Sequence, residues 1–144
     1  MTPPVDVDDH GSLVVSARLL AEMAAHSLRS LPYEGCGLLV GESGGARVQR
    51  VVPAENVAAS SRLYTVDPKA LLHAYRDADE QGLDIIGVFH SHTHTDPYPS
   101  PTDVAQAPDP TWHYVIVSLR DEVPSTRSFK IVAGVVHEEP ILEE

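Results

Sequence analysis

Two histidines that directly follow an apolar run constrain this chain more than any other feature. Residues 85–89 read Ile-Ile-Gly-Val-Phe, and the next three residues are His90, Ser91 and His92. A short apolar run of this kind is typical of a buried strand, in which side chains two residues apart project from the same face. We therefore predict a strand over 85–91 that presents both imidazoles near its end.

A serine and an aspartate follow these histidines at short spacing. The proline-rich segment 96–101 should turn the chain back, which can bring Asp103 to the two imidazoles. Two imidazoles and one carboxylate form a ligand set that catalytic zinc sites use, with water in the fourth position. A bare His-x-His pair more often packs or forms hydrogen bonds. The combination with Ser100 and Asp103 after an apolar strand instead favours a metal site.

A hydrolytic metal site also needs a group that takes a proton from water and passes it to the leaving group. The ligands cannot do this because the metal occupies their basic atoms. Our candidate is Glu34, an acid in an otherwise apolar, glycine-rich segment. From spacing alone, an exposed position just before the strand is an equally good interpretation. Glu42 and Glu55 are weaker candidates because they lie near predicted turns.

Three neighbouring side chains allow a structural interpretation as well as a functional one. Ser100 precedes a proline and suits the N-cap of a short helix around 101–107, but its hydroxyl could also donate to an oxyanion. His94 could be a fourth ligand in an inhibited state or a substrate contact, but we expect it to be exposed because the strand should end before it. Cys36 is interpreted as a buried structural thiol rather than a metal ligand.

Composition limits the classes of protein to which the chain can belong. Its 144 residues suit one domain, which we place over 12–144. Its 10 basic and 21 acidic side chains give a net charge of −11, which makes nucleic acid and anionic membranes poor candidates as partners. The single cysteine excludes an internal disulfide. We expect a cytoplasmic protein that has no signal peptide and no membrane span. We also expect a flexible tail over 1–11 and solvated acidic clusters at 6–9 and 138–144.

Hydrophobic patterning predicts the remaining secondary structure. The main helices cover 16–30 and 68–81, with Ser16 and Asp67 as caps. Short strands are predicted over 13–15, 33–41, 46–52, 63–66, 112–118, 127–133 and 135–137. Helices and strands that do not strictly alternate indicate an α+β or mixed α/β layer structure. The aromatic residues of the late strands, Trp112, Tyr114 and Phe129, are assigned to the core, and His10, His26, His73, His113 and His137 carry no pattern.

The combined motif resembles that of the JAMM/MPN-domain metalloproteases, and the resemblance extends from about residue 13 to 140. Their pattern is a remote glutamate, His-x-His, seven residues, serine, two residues and aspartate, as in Glu34, His90, His92, Ser100 and Asp103 here. The resemblance implies a curved, mixed and largely antiparallel sheet flanked by helices. It also implies one Zn²⁺ bound by the two histidines and Asp103, with Glu34 as general acid and base and Ser100 as support for the oxyanion.

Segments 98–104, 113–118 and 131–140 are similar to a group of actinobacterial peptidases within that family. These enzymes remove cysteine from the C terminus of a ubiquitin-like sulfur-carrier protein with a Gly-Gly tail, which implies such a carrier as the partner. An isopeptidase that removes ubiquitin-like modifiers would meet the same Gly-Gly amide and stays open. The intact motif argues against a non-catalytic MPN-type scaffold. A zinc deaminase would need a cysteine pair, and the chain has one cysteine.

Overall fold

The computed structural model describes residues 11–144, so residues 1–10 of the predicted tail lie outside the described part. In chain order, the elements of this part are β1 (Leu13–Val15), α1 (Ala17–Ser30), β2 (Cys36–Gly41), β3 (Arg50–Ala54), α2 (Pro68–Glu80), β4 (Asp84–His92), α3 (Pro101–Ala105), β5 (His113–Ser118), β6 (Ser125–Val132), β7 (Val135–Glu139) and β8 (Ile141–Glu143). None of these helices has the length and apolar character that crossing a membrane requires.

Six of the strands form one mixed sheet in the order β3-β2-β4-β5-β6-β7. Only β4 and β5 run parallel; the other four pairs are antiparallel. Strands β1 and β8 form a separate parallel pair. The predicted α+β architecture with a mixed, largely antiparallel sheet is therefore confirmed. Strand β4 carries the histidines and pairs with β2 on one side and with β5 on the other. It therefore lies inside the sheet and not at its edge.

Both long helices begin at the predicted caps. Ser16 Oγ accepts a hydrogen bond from the backbone N–H of Leu19 at 3.1 Å, and Asp67 accepts one from Lys69 at 3.1 Å. These bonds satisfy donors that the first turn of a helix leaves free. After α2 the chain turns at Gly82, whose φ of +72° is accessible to glycine at little cost. Local chemistry therefore sets the helix boundaries.

The core lies on both faces of the sheet, with α1 on one face and α2 on the other. Adjacent leucines of β2 separate accordingly, because strand side chains alternate: Leu39 packs with Met23 of α1, and Leu38 packs with Ala74 of α2. The aromatic residues assigned to the core, Trp112, Tyr114 and Phe129, are all buried. The two cores fix the helices against the sheet and hold β2 and β4 in register.

Two strand predictions were wrong in detail, and one strand was not predicted. The predicted strand over 46–52 divides: its first part pairs with Val14 of β1, and Arg50–Ala54 forms the edge strand β3. Residues 63–66 form no continuous strand. Val66 makes an isolated antiparallel bridge with Asn56, and the Asn56 side chain donates to the carbonyl of Leu63 and accepts from the amide of Thr65. Strand β8 was not predicted, because its residues were assigned to an acidic tail.

One acid of that supposed tail is buried and takes part in a polar network. Glu139 is 4% exposed, and its Oε2 lies 2.6 Å from His113 Nδ1 and accepts a hydrogen bond from the Ser128 hydroxyl at 2.7 Å. No sequence pattern marks His113, and Glu139 was predicted to face solvent. The prediction for Glu139 was wrong, because strand pairing across β5, β6 and β7 brings together residues that are distant in the sequence.

We expect Glu139→Ala to lower the free energy of unfolding by about 1–3 kcal/mol, because it leaves a buried imidazole and hydroxyl without their partner. The adjacent Glu138→Ala is the matched control. Glu138 pairs with Arg127 at the surface, where an ion pair contributes about 0–1 kcal/mol. Urea unfolding of both variants measures the difference, and equal effects would show that the buried network adds no stability.

Candidate metal centre

The end of β4 places both histidines of the motif on the same side of the sheet. His90 is 2% exposed and His92 is 4% exposed. Their Nε2 atoms lie 3.3 Å apart, as expected for side chains two positions apart in a strand. Pairing with β2 on one side and β5 on the other holds the backbone at this end of β4. The predicted projection from one face is confirmed.

Asp103 reaches the same point from the first turn of α3. Its Oδ2 lies 3.2 Å from His90 Nε2 and 3.1 Å from His92 Nε2. A capping box orients the carboxylate: Ser100 Oγ accepts from the Asp103 amide at 3.0 Å, and Asp103 Oδ2 accepts from the Ser100 amide at 2.9 Å. The structure therefore brings together the three residues proposed as ligands, in an arrangement that could hold a metal ion.

Residues outside the predicted motif orient the two imidazoles. His92 Nδ1 donates to the backbone carbonyl of Asp96 at 2.7 Å, which directs Nε2 into the centre. The ring of His90 stacks on that of Tyr64, with centroids 4.3 Å apart and an interplanar angle of 19°. Within residues 11–144, His90 Nδ1 is buried without a hydrogen-bond partner. Stacking therefore contributes to the orientation of this ring. Sequence reasoning missed Tyr64, whose predicted strand did not form.

The electrostatics of Asp103 and His90 favour a bound cation. Burial alone would raise the pKa of the Asp103 carboxyl, but its contacts with the two imidazoles outweigh burial and hold the pKa well below its usual range. Burial lowers the pKa of His90, which keeps this imidazole neutral. A charged carboxylate and a neutral imidazole are the protonation states that metal ligation requires.

Antiparallel pairing of β2 with β4 carries Glu34 to the centre. Cys36 lies opposite His90, so the chain two residues earlier reaches the level of His92. Two bonds extend the pairing beyond β2: the Ser91 amide donates to the Gly35 carbonyl at 3.0 Å, and the Gly35 amide donates to Ser91 Oγ at 2.7 Å. The position of Glu34 therefore depends on strand register, which spacing along the sequence does not reveal.

Glu34 is buried, although the sequence allowed an exposed position equally well. It is 3% exposed, and its Oε1 has no hydrogen-bond partner among the described residues. Burial raises the pKa of this carboxyl to about 7, with a smaller opposing effect from His92. A buried carboxyl with one free oxygen and a pKa near neutrality can both accept and release a proton. Glu42 and Glu55, the weaker candidates, are both exposed.

A cavity of about 440 Å³ opens beside the centre. Glu34, His92 and Ser100 line it, together with Ser61, Arg62, Thr93, His94 and Thr95. His94 is exposed, as predicted. The Ser100 hydroxyl accepts from the Asp103 amide, and its own proton remains available for a second bond. Water and a carbonyl group could therefore meet a metal, a proton acceptor and a hydroxyl donor in one cavity.

The thiol of Cys36 lies near this cavity but is buried. Burial, with a smaller effect from Glu34, raises the pKa of the thiol to about 12. At pH 8 roughly one thiol in ten thousand is then ionised, and the thiolate is the reactive form. We expect Ellman's reagent to label the folded protein very slowly and the urea-unfolded protein at one thiol per chain. Rapid labelling of the folded protein would contradict the assignment of Cys36 as a structural thiol.

With this geometry in place, comparison with known proteins identifies the family. Residues 16–132 match the family described as prokaryotic homologues of the JAB domain. The chain belongs to this family. The structure also superposes on a JAB1/MPN domain protein from Archaeoglobus fulgidus with a TM-score of 0.58. The two sequences are 16% identical, and the superposition covers 92% of this chain and 98% of the other. This similarity shows the shared fold. The predicted resemblance to the JAMM/MPN family is confirmed.

Two characterised relatives are similar to this chain over two thirds or more of its length. The CysO-cysteine peptidase of Mycobacterium tuberculosis (strain H37Rv) is 41% identical over 130 residues, which cover 90% of this chain and 89% of the peptidase. The probable TtuB-protein conjugate cleaving protease of Thermus thermophilus is 40% identical over 100 residues, 68% of this chain and 66% of the protease. The chain is thus a homologue of JAMM-type peptidases, with a buried His-His-Asp group that suits a metal.

Proposed function

We propose that this protein is a zinc-dependent peptidase that hydrolyses the amide after the C-terminal Gly-Gly of a ubiquitin-like sulfur carrier and releases cysteine. The observation that carries the proposal is the buried His90-His92-Asp103 group, whose His92 lines the same cavity as the buried Glu34 carboxyl. The similarity to a CysO-cysteine peptidase supports the choice of substrate. A cytoplasmic location remains a prediction from the sequence.

The spacing of the three ligand atoms supports zinc. Bonds of about 2.0 Å in a tetrahedral site place neighbouring donors about 3.3 Å apart. The three separations among His90 Nε2, His92 Nε2 and Asp103 Oδ2 are 3.1–3.3 Å. When bound, zinc supplies a Lewis acid that polarises the scissile carbonyl and acidifies water at neutral pH.

The protein's own residues would handle the proton and the developing charge. Glu34 takes a proton from the attacking water while the water oxygen bonds to the carbonyl carbon. The Ser100 hydroxyl donates to the oxyanion that forms. Glu34 then gives its proton to the amide nitrogen, the C–N bond breaks, and the carrier carboxylate and free amine leave. The raised pKa of Glu34 suits both transfers at neutral pH.

The proposal is tested by mass spectrometry of a carrier protein that ends in Gly-Gly-Cys. We expect the zinc-loaded enzyme to shorten the carrier by one cysteine and a chelator to stop the reaction. A second substrate joins the carrier's terminal glycine to a lysine side chain of another protein. The similarity to a protease that cleaves protein conjugates makes this the relevant alternative. Cleavage of the lysine-linked substrate alone would replace the proposal with an isopeptidase activity, and cleavage of neither would reject both.

A further inference from the structure

Among residues 11–144, Arg62 is the only lysine or arginine that lines the proposed catalytic cavity. The chain carries a net charge of −11, so an anionic substrate is repelled by most of its surface. The positive charge of Arg62, in the cavity beside Glu34 and Ser100, is therefore a local exception to the negative charge of the protein. Neither the proposed chemistry nor the metal centre uses it.

The backbone around Arg62 is held against the catalytic residues. Its amide donates to Ser60 Oγ at 3.0 Å, and the Ser60 carbonyl accepts from the Glu34 amide at 2.8 Å. The Ser61 carbonyl accepts from the Thr93 hydroxyl at 3.4 Å. These bonds tie the loop to the segment before β2 on one side and to the end of β4 on the other. The guanidinium therefore extends from a fixed point at the edge of the cavity.

Side-chain contacts on this loop strengthen the attachment. The Asn56 amide donates to the carbonyl of Glu34 at 2.9 Å and to that of Leu63 at 3.0 Å. One side chain thus joins the residue that would move the proton to the residue that follows Arg62. A substrate group held by Arg62 would consequently have a defined position relative to the Glu34 backbone.

The guanidinium itself makes no ion pair or hydrogen bond within residues 11–144. Of the seven other arginines in this part of the chain, Arg29 and Arg76 also make no ion pair, whereas five pair with carboxylates: Arg18, Arg47, Arg50, Arg120 and Arg127. A guanidinium carries five N–H donors in a planar fork that suits two carboxylate oxygens at once. The free donors of Arg62 thus match a carboxylate from outside the protein.

The position of the reacting amide indicates which carboxylate this is. If the leaving group is a single amino acid, one carbon separates its carboxylate from the nitrogen that Glu34 protonates. That carboxylate must then lie in the same cavity. A lysine side chain of a protein brings no carboxylate to this place. We propose that Arg62 binds the α-carboxylate of the released residue and so selects substrates in which one terminal amino acid follows the scissile amide; this rests on the proposed peptidase function.

The test compares carriers that end in Gly-Gly-Cys with a free or an amidated C terminus. We expect Arg62→Gln to lower kcat/KM for the free acid by about 10- to 100-fold, the usual range for a lost charge-assisted hydrogen bond. We expect the amide to be a poor substrate for the wild type, and the effect of Arg62→Gln on it should be small. Arg62→Lys should recover part of the loss, since it keeps the charge but not the fork. Arg76→Gln on the exposed face of α2 is the matched control.

A binding measurement separates recognition from turnover. In the Glu34→Gln background, calorimetry with a Gly-Gly-Cys peptide should show that Arg62→Gln weakens binding of the free acid but not of the amide. Equal weakening of both peptides, or no preference of the wild type for the acid, would overturn the role of Arg62 and leave the peptidase proposal intact. Failure of the zinc-loaded wild type to cleave either carrier would reject the peptidase proposal itself, and the inference with it.

Discussion

Replacing Glu34 with glutamine is expected to lower turnover of the carrier substrate by about 10²- to 10⁴-fold, the range that a positioned general acid and base contributes. The amide has nearly the same size as the carboxyl, but it cannot accept the proton from water or return one to the amine. Because Glu34 is not among the three clustered ligand residues, the variant should retain its metal. Steady-state kinetics and elemental analysis of the same preparation measure both quantities.

Two matched variants control for the loss of one negative charge. Glu42→Gln and Glu55→Gln change exposed acids that the sequence analysis considered for the same role. Both should keep near-normal turnover, because neither carboxyl lines the cavity with His92 and Ser100. Near-normal turnover of Glu34→Gln would show that another group moves the proton. A parallel loss of metal would instead indicate that Glu34 supports the metal site.

Replacing Asp103 with alanine is expected to remove both the metal and the activity. A change in the surroundings of a ligand alone weakens metal binding by about 10- to 100-fold, so the loss of a charged ligand should exceed this range. The purified protein should fall from about one zinc per chain to almost none by elemental analysis. Full retention of zinc would remove Asp103 from the ligand set.

This variant also breaks the capping box of α3, which costs about 0.5–2 kcal/mol. Ser100→Ala separates the two effects, since it removes the hydroxyl cap but leaves all three ligand side chains in place. It should bind zinc nearly as well as the wild type and unfold at a lower urea concentration. Only metal content is compared here, because Ser100 is itself proposed to stabilise the oxyanion. Loss of zinc from Ser100→Ala would mean that helix geometry, rather than the carboxylate alone, decides metal binding.

Much of the candidate site could be predicted because it depends on short-range rules. Side chains two apart in a strand share a face, so His90 and His92 were expected to converge. A serine before a proline suits a helix N-cap, and the cap that forms at Ser100 also aims Asp103 at the histidines. Helices α1 and α2 begin at their predicted caps for the same local reason.

The sequence did not decide between an exposed and a buried Glu34, because its position depends on the pairing of β2 with β4. The loop that carries Arg62 was predicted to contain a strand, and the long-range hydrogen bonds of Asn56 explain its actual path. The acid at Glu139 was assigned to solvent, yet it is buried between strands. Each of these outcomes depends on contacts between residues far apart in the sequence.

By itself, the sequence determined the candidate ligand residues, their order and the local elements that present them, because strand alternation and helix capping act over a few residues. It also determined the family, since the spacing of the motif is specific. Only the tertiary structure decided that Glu34 is buried with an unpaired oxygen beside the candidate metal centre and that Arg62 lines the same cavity. The reason is physical: burial and long-range proximity arise when separate segments pack together, and no single segment contains that information.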